Sequence, residues 1–276
     1  MKKFTKLMAV LLCAALIAVC FAGCSGSGDD KAENPLIVGY YAGDDAYFAL
    51  DGEGKATGVF GEIVNYAYEN YLSGTYDALQ FVEMTDDTVL GGDKQPLLAV
   101  GKLQKHQDAN DRLYGWTQTI LENRVIVVAP AGSNAGSFND LSGRSVMMVG
   151  DVAAAAMANN SAVANLPASV TTAQLDAALS ALQGGTTDFV LVDEMTFYTS
   201  DQSDSFTVLE PVLDTQEFAI QVADDEWDLL QTLNEAVHDM LTNTDNGDTL
   251  TPAVEKAFGY DAVSDAIRDY VVLVEN

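Results

Sequence analysis

Short runs of β-branched and aromatic residues alternate with helical patterns from residue 36 almost to the end of this 276-residue chain. The runs predict strands, which we place at 36–41, 78–83, 124–129, 145–149 and 188–192. Alternating strands and helices are typical of parallel sheets that are covered by helices. The pattern therefore predicts an α/β fold, built either as one large unit or as two lobes of roughly 100 to 120 residues.

Three segments carry the spacing of amphipathic helices, at 60–72, 173–182 and 227–241. The last is the clearest, because apolar side chains recur every three or four residues along one face: Leu230, Leu233, Val237, Met240 and Leu241. We expect this face to be buried. The sequence contains no internal repeat.

The first 23 residues have the composition of an export signal. Residues 1–6 contain three lysines and no acidic residue, and residues 7–22 form 16 consecutive apolar positions. That stretch is shorter than the roughly 20 residues that a membrane-spanning helix needs, and no basic flank follows it. A signal peptide over 1–23 is favoured, and a membrane span is the alternative.

Residues 21–24, with the sequence Phe-Ala-Gly-Cys, resemble the bacterial lipobox, in which the cysteine is acylated and becomes the mature N-terminus. Phe21 departs from the aliphatic residue that is usual there. The resemblance implies lipid attachment at Cys24 and a polar tether over 24–35. The alternative is that Cys24 is a small residue near an ordinary cleavage site. Because Cys13 and Cys20 lie in the signal, the exported body would contain no disulfide.

Acidic residues outnumber basic residues by 41 to 13, which gives a net charge of −28 at pH 7. Removal of residues 1–23 would leave 10 basic residues and a net charge of −31. Such a charge repels nucleic-acid phosphates and anionic lipid head groups. We expect no nucleic-acid partner, and contact with the membrane only through an N-terminal lipid.

The segments that resemble motifs for catalysis or metal binding lack the required spacing or residues. Residues 52–55 lack the spacing of a phosphate-binding loop and predict a turn between strands. Residues 243–248 place Gly at the fifth instead of the sixth calcium-loop position and predict a polar turn between helices. His106 and His238 have no zinc-ligand neighbours, and no nucleophile motif is present. We expect no metal, no cofactor and no enzymatic activity.

Five segments, taken in order, resemble the family 3 extracellular solute-binding proteins of ABC importers. The most specific is the segment 182–194, in which a glycine turn leads into a strand that closes on Asp193 and Glu194. Each segment alone is weak, whereas five in the family's order, over nearly all of 36–260, are specific. The other four are 36–39 with 51–58, 140–146, 218–220 and 258–259.

The resemblance implies a two-lobed, type II periplasmic-binding-protein-like fold, with two hinge strands and a ligand cleft between the lobes. Lobe 1 would comprise 36–122 plus 218–276, and lobe 2 would comprise 123–217. Such proteins usually bind an amino acid and deliver it to an ABC transporter permease, and we expect a monomer. Two other classes stay open: an anchored sensory or surface protein without a transport role, and an enzyme on the same fold.

The family recognises an amino acid through two charged side chains. An Arg of lobe 1 pairs with the ligand α-carboxylate, and an Asp of lobe 2 receives the α-ammonium. Asp193 matches the position of that Asp. A strand-terminal Asp is also a common turn former, which is the structural alternative.

The carboxylate-binding part of the family site is only partly kept. The family's segment of hydroxyl residues and an arginine aligns with 100–108, where Gly101 is kept and Asp108 stands in place of the arginine. At the start of the lobe 2 helix, Gly150 is kept and Asp151 replaces a hydroxyl residue, although Asp151 would also suit a helix N-cap. Lys105 or Arg112 could take over as the anion anchor.

Aromatic residues are further candidates for the cleft, and Tyr47 and Trp116 are the first choices among them. A flat ring can stack on an apolar part of a solute or attract a cation, and burial in the core is the alternative for each.

The charge of the predicted site favours one kind of solute. If Asp108, Asp151 and Asp193 share a partly desolvated cleft, they repel one another unless a cation lies among them. We therefore expect a small polar solute that is cationic or amine-rich.

Overall fold

The computed structural model describes residues 34–85, 88–92, 94–105, 114–243, 245 and 247–270. The predicted signal peptide, Cys24, Asp108 and Arg112 lie outside the described residues.

The described residues contain strands and helices in mixed order. The strands are β1 Leu36–Tyr40, β2 Ala49–Leu50, β3 Ala56–Thr57, β4 Leu79–Glu83, β5 Leu98–Val100, β6 Tyr114–Trp116, β7 Leu121–Pro130, β8 Ser145–Val149, β9 Ser169–Ala173, β10 Phe189–Asp193, β11 Phe206–Val208, β12 Asp214–Phe218 and β13 Gln221–Ala223. The helices are α1 Gly58–Ala67, α2 Gly150–Asn159, α3 Ser161–Ala164, α4 Leu175–Gln183, α5 Glu194–Phe197, α6 Trp227–Thr242, α7 Leu250–Phe258 and α8 Asp265–Arg268. A π-helical turn, Tyr68–Leu72, continues α1, and short 3₁₀ turns lie at Phe138–Leu141 and Ser203–Ser205.

The first large sheet has the strand order β4-β1-β5-β13-β6. In it, β1 runs parallel to β4 and to β5, whereas β13 runs antiparallel to β5 and to β6. The small β2–β3 hairpin precedes α1, and its turn is the predicted turn at 52–55.

Helices α1, α6 and α7 cover this sheet and supply much of its core. On α6 the predicted apolar face is confirmed, because Leu230, Leu233, Val237 and Met240 are buried and Leu241 packs against them while partly buried. Each fully buried side chain of this size contributes roughly 1.5–3 kcal/mol to the free energy of folding. The helical periodicity therefore reflects real burial.

The second sheet has the order β11-β7-β10-β8-β9, with β12 also paired to β7. Here β8 is parallel to β9 and to β10, while β7 is antiparallel to β10. All five residues of β10 are buried, because alternate side chains enter two different cores. Leu191 packs in one core, and Val190 and Val192 pack in the other. A sheet buried on both faces explains the unbroken apolar run in the sequence.

Two antiparallel strands connect the cores of the two sheets. The pairing of β7 with β12 runs from Leu121 opposite Phe218 to Val125 opposite Asp214. Leu121 and Phe218 belong to the core of the first sheet, whereas Val125 belongs to a core of the second. The predicted lobe boundaries at 122/123 and 217/218 fall within this paired segment and stay predictions.

The predicted strands at 36–41, 78–83, 124–129, 145–149 and 188–192 are confirmed, each within a few residues of its observed ends. The prediction at 173–182 is wrong at its start, because Ala173 ends β9 and α4 begins only at Leu175. Within the described ranges, no helix combines the length and the apolar character that crossing a membrane requires.

Candidate functional site

A cavity of about 480 Å³ opens between the two sheets, beside the paired strands β7 and β12, which we call the crossing strands. Residues from both sides and from β7 line it: Asp44, Ala46, Tyr47, Lys102, Asn123, Val152, Asp193, Met195, Thr196, Tyr198, Thr199, Ala257, Phe258 and Gly259. We call this cavity the cleft. Its lining combines charged groups with apolar and aromatic surface, as small-molecule sites usually do.

The charged lining residues lie where parallel strands end. Asp44 follows β1 and Lys102 follows β5, and these two strands are parallel neighbours in the first sheet. In the second sheet, Asp193 ends β10 and α2 begins after the parallel strand β8. In open α/β sheets, ligands bind at the carboxyl ends of the strands. The topology thus brings together residues that are distant in sequence.

Asp193 is 5% exposed and is held in place by two donors. Its Oδ1 accepts hydrogen bonds from the backbone N of Thr196 at 3.0 Å and from Nδ2 of Asn123 at 3.1 Å. The first of these caps the N-terminus of α5. In the described part of the chain, no donor binds Oδ2, which faces Gly150. The carboxylate therefore keeps one oxygen available to the cleft.

Asn123 links strand β7 to the site. Its Nδ2 also donates to Oε1 of Gln216 on β12 at 3.1 Å, and its Oδ1 accepts from the backbone N of Met195 at 3.0 Å. The side chain is 3% exposed. Because one amide satisfies partners on β12, on α5 and on Asp193, the position of the carboxylate is coupled to the crossing strands.

Tyr47 lies between the two sides of the cleft. It is 1% exposed, and its ring lies 5.1 Å from the rings of Phe218 and Phe258. Its hydroxyl donates to Sδ of Met195 at 2.9 Å, across the cleft. Burial raises the pKa of the Tyr47 hydroxyl, and the negative charges of Asp44 and Asp193 raise it further. Tyr47 is thus both a core residue and a neighbour of both carboxylates.

Lys102 and Asp44 form a loose ion pair on the first-sheet side. Nζ of Lys102 lies 3.5 Å from Oδ2 of Asp44, and the two side chains are 55% and 38% exposed. The same Nζ lies 5.3 Å from the centroid of the Tyr47 ring, within the range of a cation–π contact. Among the described residues that line the cleft, Lys102 is the one basic side chain.

A second, smaller cavity of about 160 Å³ lies outside the cleft, and it includes Arg124 and Glu194 in its lining. The buried Glu194 carboxylate accepts two hydrogen bonds from Arg124, at 2.7 and 2.9 Å. This carboxylate raises the pKa of the Arg124 guanidinium. The pair is internally satisfied, so Arg124 does not supply the cleft with a free cation.

The two sides of the molecule also touch beside the cleft. The rings of Tyr198 and Tyr260 stack with centroids 4.6 Å apart. At Gly259, with a φ of +81°, a Cβ atom would lie 2.9 Å from the carbonyl oxygen of Tyr198. This position therefore needs a glycine both for its backbone conformation and for the close approach.

The structure places the predicted site residues in different surroundings. Asp193 and Tyr47 line the cleft, whereas Gly101, Gly150 and Asp151 are not among its lining residues. Asp151 is exposed in the first turn of α2, and the next residue, Val152, is the one that reaches the cleft.

Two of the predicted site residues remain, Trp116 and Asp108. Trp116 is partly buried on β6, opposite Gln221, and is not among the lining residues. Asp108 lies outside the described residues. The roles proposed for these residues stay predictions.

Sequence reasoning missed several polar lining residues, among them Asp44, Lys102 and Asn123. Lys102 had a usable signal, because a basic residue directly follows Gly101 near the start of the predicted ligand-binding segment 100–108. Asn123 had none, since its importance arises from partners on three separate elements. Within the described residues, no group of three or more His, Cys, Asp or Glu side chains is placed to hold a metal ion.

No protein-family model matches the chain, and no curated protein sequence matches it. Solved structures do. Over 84% of its length the chain is similar to a polar amino acid ABC uptake transporter substrate-binding protein from Streptococcus thermophilus, with a TM-score of 0.62, 17% identity and 89% of that chain covered. It is also similar to the L-cystine solute receptor of Neisseria gonorrhoeae in its unliganded open conformation, with a TM-score of 0.62, 15% identity, and 83% of this chain and 94% of that chain covered.

The first of these neighbours is a substrate-binding protein and the second a solute receptor. The chain has their two-lobed, periplasmic-binding-protein-like α/β fold, which confirms the predicted fold class. The first sheet with α1 and α6 to α8 forms one lobe, the second sheet with α2 to α5 forms the other, and the cleft lies between them.

Proposed function

We propose that the protein is the extracytoplasmic substrate-binding component of an ABC importer, and that it binds an amino acid or a related small polar solute in the cleft. The observation that carries the proposal is the cleft itself: about 480 Å³, lined from both lobes, with the open oxygen of Asp193 facing it. A volume of this size suits a solute of amino-acid size.

Asp193 is the residue proposed to receive the ammonium group of the solute. Two donors fix its Oδ1, so the carboxylate is oriented before the solute arrives, and Oδ2 is left to accept from an ammonium. A charge-assisted hydrogen bond between an ammonium and a carboxylate is stronger than a neutral one, and orientation in advance lowers the entropic cost of binding.

The proposal includes a lipid anchor at Cys24, a tether over 24–35 and a permease as partner. It is supported by the lipobox-like residues 21–24 and by the polar composition that follows them. Cys24→Ser should abolish labelling of the protein by a fatty-acid analogue and release it from the membrane fraction. Equal labelling of wild type and variant would contradict the anchor.

Mass spectrometry of small molecules that copurify with the protein tests the binding function most directly. We expect an amino acid or a related amine-containing solute. Isothermal titration calorimetry with that solute should show a loss of affinity of about tenfold or more in Asp193→Asn. Asp176→Asn, at an exposed position of α4 in the same lobe, is the matched control and should bind like wild type.

A transport role is separated from sensing by uptake. Cells that lack the protein should fail to accumulate the radiolabelled solute, and the wild-type chain should restore accumulation. Normal accumulation without the protein would favour an anchored sensory or surface-binding role.

A further inference from the structure

Lys102 is placed in the cleft by a backbone conformation that only glycine adopts easily. The preceding Gly101 has a φ of +129°, and a Cβ atom there would lie 3.1 Å from the carbonyl oxygen of Tyr41. The chain can therefore turn closely past Tyr41 at the end of β5. Lys102 follows this turn and lines the cleft from lobe 1.

The contacts of Lys102 leave its ammonium group available. Its ion pair with Asp44 is long, at 3.5 Å, and both side chains are well exposed. Exposed ion pairs of this kind contribute little, so exchanging Asp44 for another anion costs little. The aromatic ring of Tyr47, 5.3 Å from Nζ, attracts the cation without consuming any of its hydrogen-bond donors.

Tyr47 also shows that the opposite charges of the cleft are close to one another. Its hydroxyl donates to Sδ of Met195 in lobe 2, and its ring is in cation–π contact with Nζ of Lys102 on the lobe 1 side. The carboxylates of Asp44 and Asp193 both act on the same hydroxyl. One solute in the cleft can therefore meet Asp193 and Lys102 together.

Other described basic residues do not reach the cleft. Arg124 is bound to Glu194 outside it. Lys105, one of the two residues that the sequence offered as an alternative anion anchor, is not among the lining residues. The described charged lining is two carboxylates and one ammonium, with Asp151 exposed outside it.

We propose that Lys102 binds the carboxylate of the solute while Asp193 binds its ammonium, so that the cleft selects zwitterionic amino acids over amines that lack a carboxylate. This inference rests on the proposed function and names the solute class of the same site. It differs from the sequence-based expectation of a purely cationic or amine-rich solute, because Lys102 offsets one of the two lining carboxylates.

Matched pairs of probes test the inference on the full chain by isothermal titration calorimetry. Each pair is an L-amino acid and the amine that lacks only its carboxylate: leucine and isopentylamine, phenylalanine and phenethylamine, lysine and cadaverine, arginine and agmatine. For each pair that binds, we expect wild type to prefer the amino acid by roughly tenfold to a hundredfold, as for a hydrogen-bonded charge pair.

Two variants of Lys102 test whether its positive charge causes the preference for the amino acid over the amine. Lys102→Met should reduce the preference to within about threefold by lowering affinity for the amino acid and not for the amine, and Lys102→Arg should retain it. Lys55→Met, at an exposed position in the β2–β3 turn, is the control and should retain the full preference. Circular dichroism and the unfolding midpoint check that all variants are folded.

Three results would overturn the inference. A preference that persists in Lys102→Met removes Lys102 from carboxylate recognition but leaves solute binding intact. Tighter binding of cadaverine or agmatine than of lysine or arginine by wild type favours the cationic solute instead. If no probe, including the full set of proteinogenic amino acids, binds wild type at about 1 mM, the amino-acid function fails, and the inference fails with it.

Discussion

The two walls of the cleft carry similar chemical groups but hold them very differently. On the lobe 2 wall, Asp193 is 5% exposed and fixed by Asn123 and the N-terminus of α5. On the lobe 1 wall, Asp44 and Lys102 form an exposed pair at 3.5 Å. Buried polar networks are costly to disturb, whereas exposed ion pairs are nearly neutral. One wall therefore provides a fixed reference point, and the other can adjust to the solute.

The strongest test of this contrast is Asn123→Ala. The substitution leaves the backbone N of Met195 without its partner and removes one of the two donors of Asp193. We expect a loss of about 2–4 kcal/mol in the free energy of unfolding, measured by urea denaturation. Asn70→Ala, at an exposed position, should change it by less than about 0.5 kcal/mol. Equal effects of the two substitutions would show that the lobe 2 wall is not a fixed network.

Gly259→Ala tests a tightly constrained contact between the lobe 1 side and Tyr198 of lobe 2. We expect a loss of about 1–3 kcal/mol, from the positive φ and from the approach of the new Cβ to the carbonyl oxygen of Tyr198. Gly185→Ala shares the positive φ of +70° but meets no atom within 4 Å. The difference between the two urea midpoints isolates the interlobe contact. If the two variants lose equal stability, the contact contributes nothing.

Asp188 supports the lobe 2 wall from the far end of its strands. Hydrogen bonds from the backbone N and Oγ of Ser145 lower the pKa of Asp188 from its ordinary value, and Arg144 lowers it further. Its contribution to stability is therefore complete above the unfolded-state pKa and is lost as the pH falls through the lower folded-state pKa.

Asp188→Asn should accordingly destabilise the protein at pH 6 and flatten the loss of stability between about pH 5 and pH 2. Urea midpoints measured across that range give the result, with Asp176→Asn as the control. An unchanged acid dependence in Asp188→Asn would contradict the assignment.

The smallest effect is expected at the adjustable wall. Asp44→Asn keeps the side-chain oxygen that accepts from the backbone N of Ala46 but removes the charge opposite Lys102. We expect a change of less than about 0.5 kcal/mol in the free energy of unfolding, measured at low and at high salt. A loss above about 1 kcal/mol would mean that this wall is as fixed as the other.

Much of the fold could be predicted because the cores impose regular patterns on the sequence. The apolar run at 189–192 and the stripe on α6 both follow from burial. In contrast, β9 was missed because four of its five residues are exposed, so its Ser-Val-Thr-Thr-Ala sequence carries no burial pattern. Polar edge strands of this kind are defined by their pairing partner, here β8, and not by their own composition.

The site was less predictable than the fold, for a related reason. Asp193 was accessible to sequence reasoning because it ends a recognisable strand, and the family motif includes it. Asn123 lies between Glu122 and Arg124 on β7, with nothing in the sequence to distinguish it from an ordinary polar strand residue. Its role depends on Gln216, Met195 and Asp193 being brought to it by the fold. Lys102 shares the cleft with Asp193 only because β5 and β10 end at the same opening.

The contact between Tyr198 and the Gly259–Tyr260 segment has a mechanical consequence. Two crossing strands alone would let the lobes twist, bend or shear relative to one another. The stacked rings of Tyr198 and Tyr260, 4.6 Å apart beside those strands, add a third support that is rigid against compression. A body held at three points that do not lie on one line has no free rotation, so the lobes can move relative to one another only if this ring contact slides or separates. Because Tyr198 also lines the cleft, any change in this contact changes the cleft wall at the same time.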